Sequence, residues 1–218
     1  MRFRCHSALV ASNWSSRYAA IFLKTSVLPR IRAAGSVIPR TLLRATLLFG
    51  SAYAEALVDS LLLPLLVGDE HSTVGPAQAE AITRILCNPD TALTDQLDEF
   101  IQKSLAGVTV NDETSSGTHL LANESALPVF QNILNAKPIL SSLTINRFVG
   151  ACEAVLEQPE AERLRGSLKF TTVIFTLITK YPQQCACHVE ALEAIVAQLT
   201  SIMAKATMRS LEKLKKNK

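Results

Sequence analysis

With 218 residues, 48% hydrophobic and 19% charged, the chain has a globular composition and enough length to bury the core of one domain or two small ones. Only 8 Gly, 9 Pro and 6% aromatic residues argue against a sandwich or barrel, whose turns need glycine and whose strands need aromatic and β-branched side chains. The net charge of +3 hides a segregation: residues 1–54 carry eight bases and no acid, residues 55–204 eight bases against eighteen acids, and residues 205–218 six bases and one acid.

In chain order, residues 1–35 are Arg- and Ser-rich and acid-free. They read as an unstructured or mis-started basic leader, with a mitochondrial or chloroplast transit peptide as the alternative. From residue 36 the pattern is helical almost throughout. Arg40 to Val67 reads as helix with a break near Gly50 and Ser51, and Pro64 is expected to kink or end it, because proline lacks a backbone donor and clashes with the preceding turn. The run around Leu61 to Val67 is the longest apolar one and falls short of the ~18–20 residues that span a bilayer. No membrane partner is expected.

Gly75-Pro76 opens a helix with Ala79, Ile82, Ile85 and Leu86 on one face, Asn88-Pro89-Asp90 is a turn, and Leu93, Leu97, Phe100, Ile101 and Leu105 follow at helical spacing. Residues 108–123 are the most polar stretch and predict the longest loop. Leu127 to Leu134 form a short helix before Lys137-Pro138, and residues 141–158 form another. A third, residues 160–181, has one stripe of Phe170, Ile174, Leu177 and Tyr181 and a second of Leu164, Leu168, Phe175 and Ile178, which predicts a central, buried helix. The last helix, His188 to about Lys213, carries its stripe at Val189, Leu192, Val196, Leu199 and Met203. Seven or eight helices joined by short Pro or Gly corners predict an all-α fold, an α-solenoid of stacked antiparallel helical hairpins of the irregular HEAT-like kind. No strict internal repeat stands out.

The chemistry-bearing residues do not assemble into a reaction centre on spacing alone. Cys185, Cys187 and His188 offer three ligands at a tighter spacing than a zinc knuckle uses, and no second Cys/His pair lies at matching distance. The corner they occupy reads as a helix–helix junction, with no metal and no cofactor. The five cysteines, Cys5, Cys87, Cys152, Cys185 and Cys187, are odd in number and scattered, so they read as reduced thiols. The carboxylate pairs Asp98/Glu99, Glu153/Glu157 and Glu190/Glu193 lie on hydrophilic helix sides; His6, His71, His119 and His188 have no partner that the sequence places beside them. No Gly-rich phosphate loop is present, and the reading is not an enzyme. A net charge of −10 over residues 55–204 repels phosphate and argues against nucleic-acid binding by the folded body.

Two stretches carry a resemblance. "EALVDSLLLPLLVG", Glu55 to Gly68, resembles the hallmark helix of the C-terminal domain of the Fanconi anaemia group E protein; "SLKFTTVIFTLITKYPQQC", followed by the closing helix "ALEAIVAQLTSIMAKATMRSLEKL", resembles the last two helices of the same domain. The similarity covers residues 36–218, while residues 1–35 and the Cys185-Cys187-His188 cluster are not family features. The resemblance implies a nuclear adaptor of the Fanconi core complex that binds the group C subunit and other core subunits. It further implies recruitment of the group D-two substrate for monoubiquitination in DNA interstrand crosslink repair. A bulky apolar residue that contacts substrate in the family falls at Ile202, which the helical wheel puts at the edge of the buried stripe; the wheel also puts Met208 on the side away from that stripe, about 180° from Leu199, as a second partner-facing position. The competing expectation is a helical-repeat interaction scaffold unrelated to repair.

Overall fold

The computed structural model describes residues 14–68, 73–88, 93–106, 120–159 and 161–216. Residues 1–13 of the leader, the Pro89-Asp90 part of the turn, residues 108–119 of the polar stretch, and Cys5, His6, His71 and His119 lie outside the described residues. Among the described residues there is no strand, so the fold is all-α. The chain divides into two compact units, Met1–Phe100 and Ile101–Lys218.

The first unit begins inside the segment assigned above to a leader. Helix α1 runs from Ser16–Phe22 through a π turn at Leu23–Val27 to Leu28–Arg32, and buries Ala19, Leu23, Val27, Leu28 and Ile31. Over residues 16–32 the expectation of an unstructured leader is therefore corrected: basic side chains occupy the solvent positions of an amphipathic helix whose apolar side is core. Helix α2 is Arg40–Ala52, α3 runs from Ala54–Leu57 through a second π turn at Val58–Leu62 to Leu63–Val67, and α4 is Pro76–Leu86.

The two π turns have one cause. Pro29 and Pro64 each sit second in the segment after the turn, and a proline ring in a regular α-helix collides with the carbonyl four residues back. Widening the preceding turn, so that Leu28 N–H reaches Leu23 O and Leu63 N–H reaches Val58 O, moves that carbonyl aside. Pro64 thus does not end the helix, one of the two outcomes expected of it; the helix continues through the π turn to Val67 and stops at Gly68, whose φ of 78° suits glycine.

Helices α1 and α3 pack segment on segment, first on first, π turn on π turn and Leu-Pro on Leu-Pro, while α2 packs on α3 and α4. Gln78 Nε2 of α4 donates to the carbonyls of Ile31, Arg32 and Ala34 at 2.8–3.1 Å, closing the C-terminal end of α1. Arg32 Nη2 donates to Pro64 O at 3.0 Å and ties the same end of α1 to α3.

Helix α5, Leu97–Leu105, contains the division between the units. The second unit holds α6 (Leu127–Ala136), α7 (Ser142–Glu157), α8 (Ala161–Arg165), α9 (Leu168–Lys180), α10 (Val189–Ala197) and α11 (Ala204–Lys216). Helix α9 packs on α6 and on α11, α11 packs on α10, and α10 packs on α7. Its core holds Phe130 edge-on to Phe148 at 5.6 Å, with Phe170, Ile174, Leu177 and Ile133 fully buried. Lys137 ends α6 in the left-handed region at φ 54°, immediately before Pro138, which excludes a helical residue at that position.

Two helices expected to be continuous are broken. The helix of residues 160–181 divides at Gly166, after which the Ser167 side chain caps α9 by accepting from Phe170 N–H. The helix from His188 onward divides between Ala197 and Ala204.

Candidate partner-binding surface

The second break decides where Ile202 stands. Thr200 N–H leaves the helical ladder to donate to Arg165 O at 2.9 Å, and Ser201 Oγ donates to Thr171 Oγ1 at 2.7 Å, which in turn donates to Ser167 O at 2.9 Å. Arg165 reinforces the corner: Nη2 reaches Leu156 O at 3.1 Å and Gln198 Oε1 at 3.3 Å, and Nη1 reaches Glu162. Ile202 therefore projects from a turn tied by one hydrogen bond to the end of α8 and by one to α9, with its side chain 87% exposed. It is not the edge of a buried stripe, as a continuous helix implies. Leu168, one turn before Thr171 on α9, is 48% exposed rather than core. Lys169 and Arg163 bracket Glu124 nearby, at 3.9 and 3.6 Å.

Met208 does not lie opposite the core. Its placement 180° from Leu199 presumes one helix, and the interruption at residues 198–203 removes that relation. Helix α11 has its own buried stripe, Thr207, Leu211 and Leu214, and Met208 flanks it half-buried. Met203, expected in the core stripe, is also only half-buried.

At the Cys-Ala-Cys-His corner, residues Pro182–Cys185 form a short helical turn and Ala186–His188 a 3-10 turn, joining α9 to α10. Cys185 is buried and directs its thiol at Leu177 O, 3.7 Å away, whereas Cys187 is exposed and directs its own at Gln184 O. Desolvation first, and the nearby Cys187 second, push the Cys185 thiol up to about 12. Burial likewise pushes Cys152 up strongly, with Glu153 adding to it. A thiol held neutral in the core is a poor ligand and a poor nucleophile. No group of three or more His, Cys, Asp or Glu among the described residues is arranged to hold a metal ion. Of the carboxylate pairs, Glu193 meets Lys215 of α11 in an ion pair, and Asp98, Glu153 and Glu190 with their partners lie at partly or fully solvated positions.

A concave surface that the sequence analysis did not single out lies on α1. Trp14, Tyr18, Ile21, Phe22 and Thr25 line an open groove of about 460 Å³. Its floor is a ring cluster: Phe22 stacks on Phe49 at 5.5 Å, and Trp14 stands edge-on to both at 5.5 and 6.1 Å. Tyr53 OH donates to Trp14 O at 3.0 Å and fixes the rim. The spacing of Trp14, Tyr18, Ile21, Phe22 and Thr25 is helical, a signal visible in the residues but hidden by reading the segment as a leader.

No helix among the described residues is long and apolar enough to cross a membrane. No protein-family model matches the chain, and no curated protein sequence matches it.

Proposed function

We propose that the chain is a non-enzymatic adaptor that offers fixed apolar side chains to partner proteins. The observation that carries this reading is Ile202, an isoleucine 87% exposed on a turn whose Thr200 N–H is hydrogen-bonded to the end of α8 and whose Ser201 hydroxyl is hydrogen-bonded to α9. A β-branched side chain on a rigid corner loses little conformational entropy on contact, which is what an interface anchor needs. The resemblance to the Fanconi group E C-terminal domain puts a substrate-contacting residue at this position. On that basis the partner of Ile202 is the group D-two substrate, the group C subunit binds elsewhere on the helical rows, and the site of action is the nucleus.

The test is affinity purification of the tagged chain, wild type and Ile202→Asp, from cells treated with a crosslinking agent. Co-purification of the group C subunit with both forms, and of group D-two with the wild type far more than the variant, is the expected result. The lost anchor is worth about 1–3 kcal/mol, a five- to hundredfold weakening. Recovery of neither Fanconi subunit with the wild type overturns the repair assignment and favours a helical-repeat scaffold with other partners.

A further inference from the structure

Residues 14–32 and 49–67 are two copies of one design. A shift of 35 positions superposes Tyr18 on Tyr53, Ala19 on Ala54, and Leu28-Pro29 on Leu63-Pro64, and each copy has a π turn ahead of its Leu-Pro. Under the same shift the five groove residues Trp14, Tyr18, Ile21, Phe22 and Thr25 become Phe49, Tyr53, Ala56, Leu57 and Ser60. Two of these, Phe49 and Tyr53, are positions by which the second copy engages the start of α1. Phe49 contacts the rings of Trp14 and Phe22, Tyr53 OH bonds to Trp14 O, and Leu57 is fully buried. In the first copy Tyr18, Ile21 and Thr25 face outward, with Tyr18 66% and Ile21 49% exposed. In a stack of repeats, the face that binds one neighbour is shaped to receive a helix.

We propose that the outward face of α1 is the seat of a helix supplied by another chain, an acidic amphipathic segment that sets apolar side chains into the Trp14–Thr25 groove. The repeat argues for a helix, and the ring cluster behind the groove holds its floor in place before anything binds. Charge decides the character of that helix. Arg17 and Lys24, both exposed, stand about two helical turns apart, ~10 Å, along one edge of the groove, and neither has an ion-pair partner among the described residues. Their counterparts in the second copy are Ala52 and Asp59, so the basic edge belongs to α1 and not to the repeat. No acid occurs before Glu55. A basic edge on an apolar groove favours an acidic partner and speeds its encounter.

Trp14 is the only tryptophan, so the emission of the full chain reads this groove directly. The probe is a synthetic helix of about four turns, with Leu and Phe at i, i+4 and i+7 and Glu at the solvent positions. It is compared with the same peptide carrying Lys for Glu, and with vesicles of phosphatidylcholine and phosphatidylserine. The acidic peptide is expected to shift Trp14 emission saturably, and Arg17→Glu with Lys24→Glu to weaken it about tenfold, since two exposed ion pairs are replaced by repulsion. Ile202→Asp leaves the titration unchanged, which separates this inference from the adaptor surface on the second unit. Equal response to both peptides, indifference to the charge reversal, or a response to vesicles alone overturns it.

Discussion

At the scale of single residues, exposure and burial separate side chains that look alike in sequence. Cys185 and Cys187 are two positions apart, yet the first is core and the second solvent-facing. A thiol reagent at neutral pH is therefore expected to modify Cys187 and Cys87 in the folded protein and to spare Cys185 and Cys152 until unfolding, as peptide mapping by mass spectrometry reports. The buried thiols also set an alkaline limit. Their folded pKa values lie above that of an unfolded cysteine, so below about pH 8.5 both states hold the proton and pH has no effect through them. Above that the unfolded state releases protons that the folded state retains, and stability falls as pH rises toward 12 for Cys185. Urea midpoints should drop between pH 9 and 11, and Cys152→Ala with Cys185→Ala should flatten the slope; an unchanged slope would place the loss on other groups.

At the scale of elements, α3 shows how packing divides a leucine cluster. Four leucines flank Pro64, all of which an apolar run would send to the core; Leu62, Leu65 and Leu66 are buried, but Leu63 is only half-buried. The π turn adds a residue per turn just before Leu63 and rotates it toward solvent. Leu65→Asp should thus unfold the first unit, because an unpaired buried carboxylate costs several kcal/mol, while Leu63→Asp should cost about half as much or less. Comparable melting temperatures for the two variants would contradict the assignment. The stripes at Ala79–Leu86 and Leu93–Leu105 were legible because local periodicity alone fixes them, and every residue named there is buried. The break at residues 198–203 was not legible. No Gly or Pro marks it, and the force that opens the helix is a distant acceptor, Arg165 O. The true setting of Ile202 follows from that same long-range contact. The repeat in α1 and α3 was hidden because its few identities sit in a segment read as a leader, and the shared feature, a π turn before Leu-Pro, is a matter of backbone rather than residue type.

At the scale of the whole molecule, two compact units make stability local. Each unit has its own core, Leu57, Leu61, Leu62, Leu65, Ile82 and Ile85 in the first and Phe130, Phe148, Phe170, Ile174 and Leu177 in the second. Where contacts run between neighbouring helices, free energy is close to a sum of neighbour terms, and a lesion spreads only as far as its neighbours carry it. A buried charge costs several kcal/mol against a domain stability of about 5–15 kcal/mol, enough to open one unit and too little to open two independent ones. Hydrogen exchange on Leu65→Asp should therefore show α1 to α4 exchanging freely while α6, α7, α9, α10 and α11 keep their protection, and Ile174→Asp should give the reverse. The pattern bears on function, since an adaptor surface at Ile202 would outlast damage to the first unit and the α1 groove would outlast damage to the second. Loss of protection across the whole chain from either substitution would mean that the two cores fold as one, and neither surface could then be altered without the other.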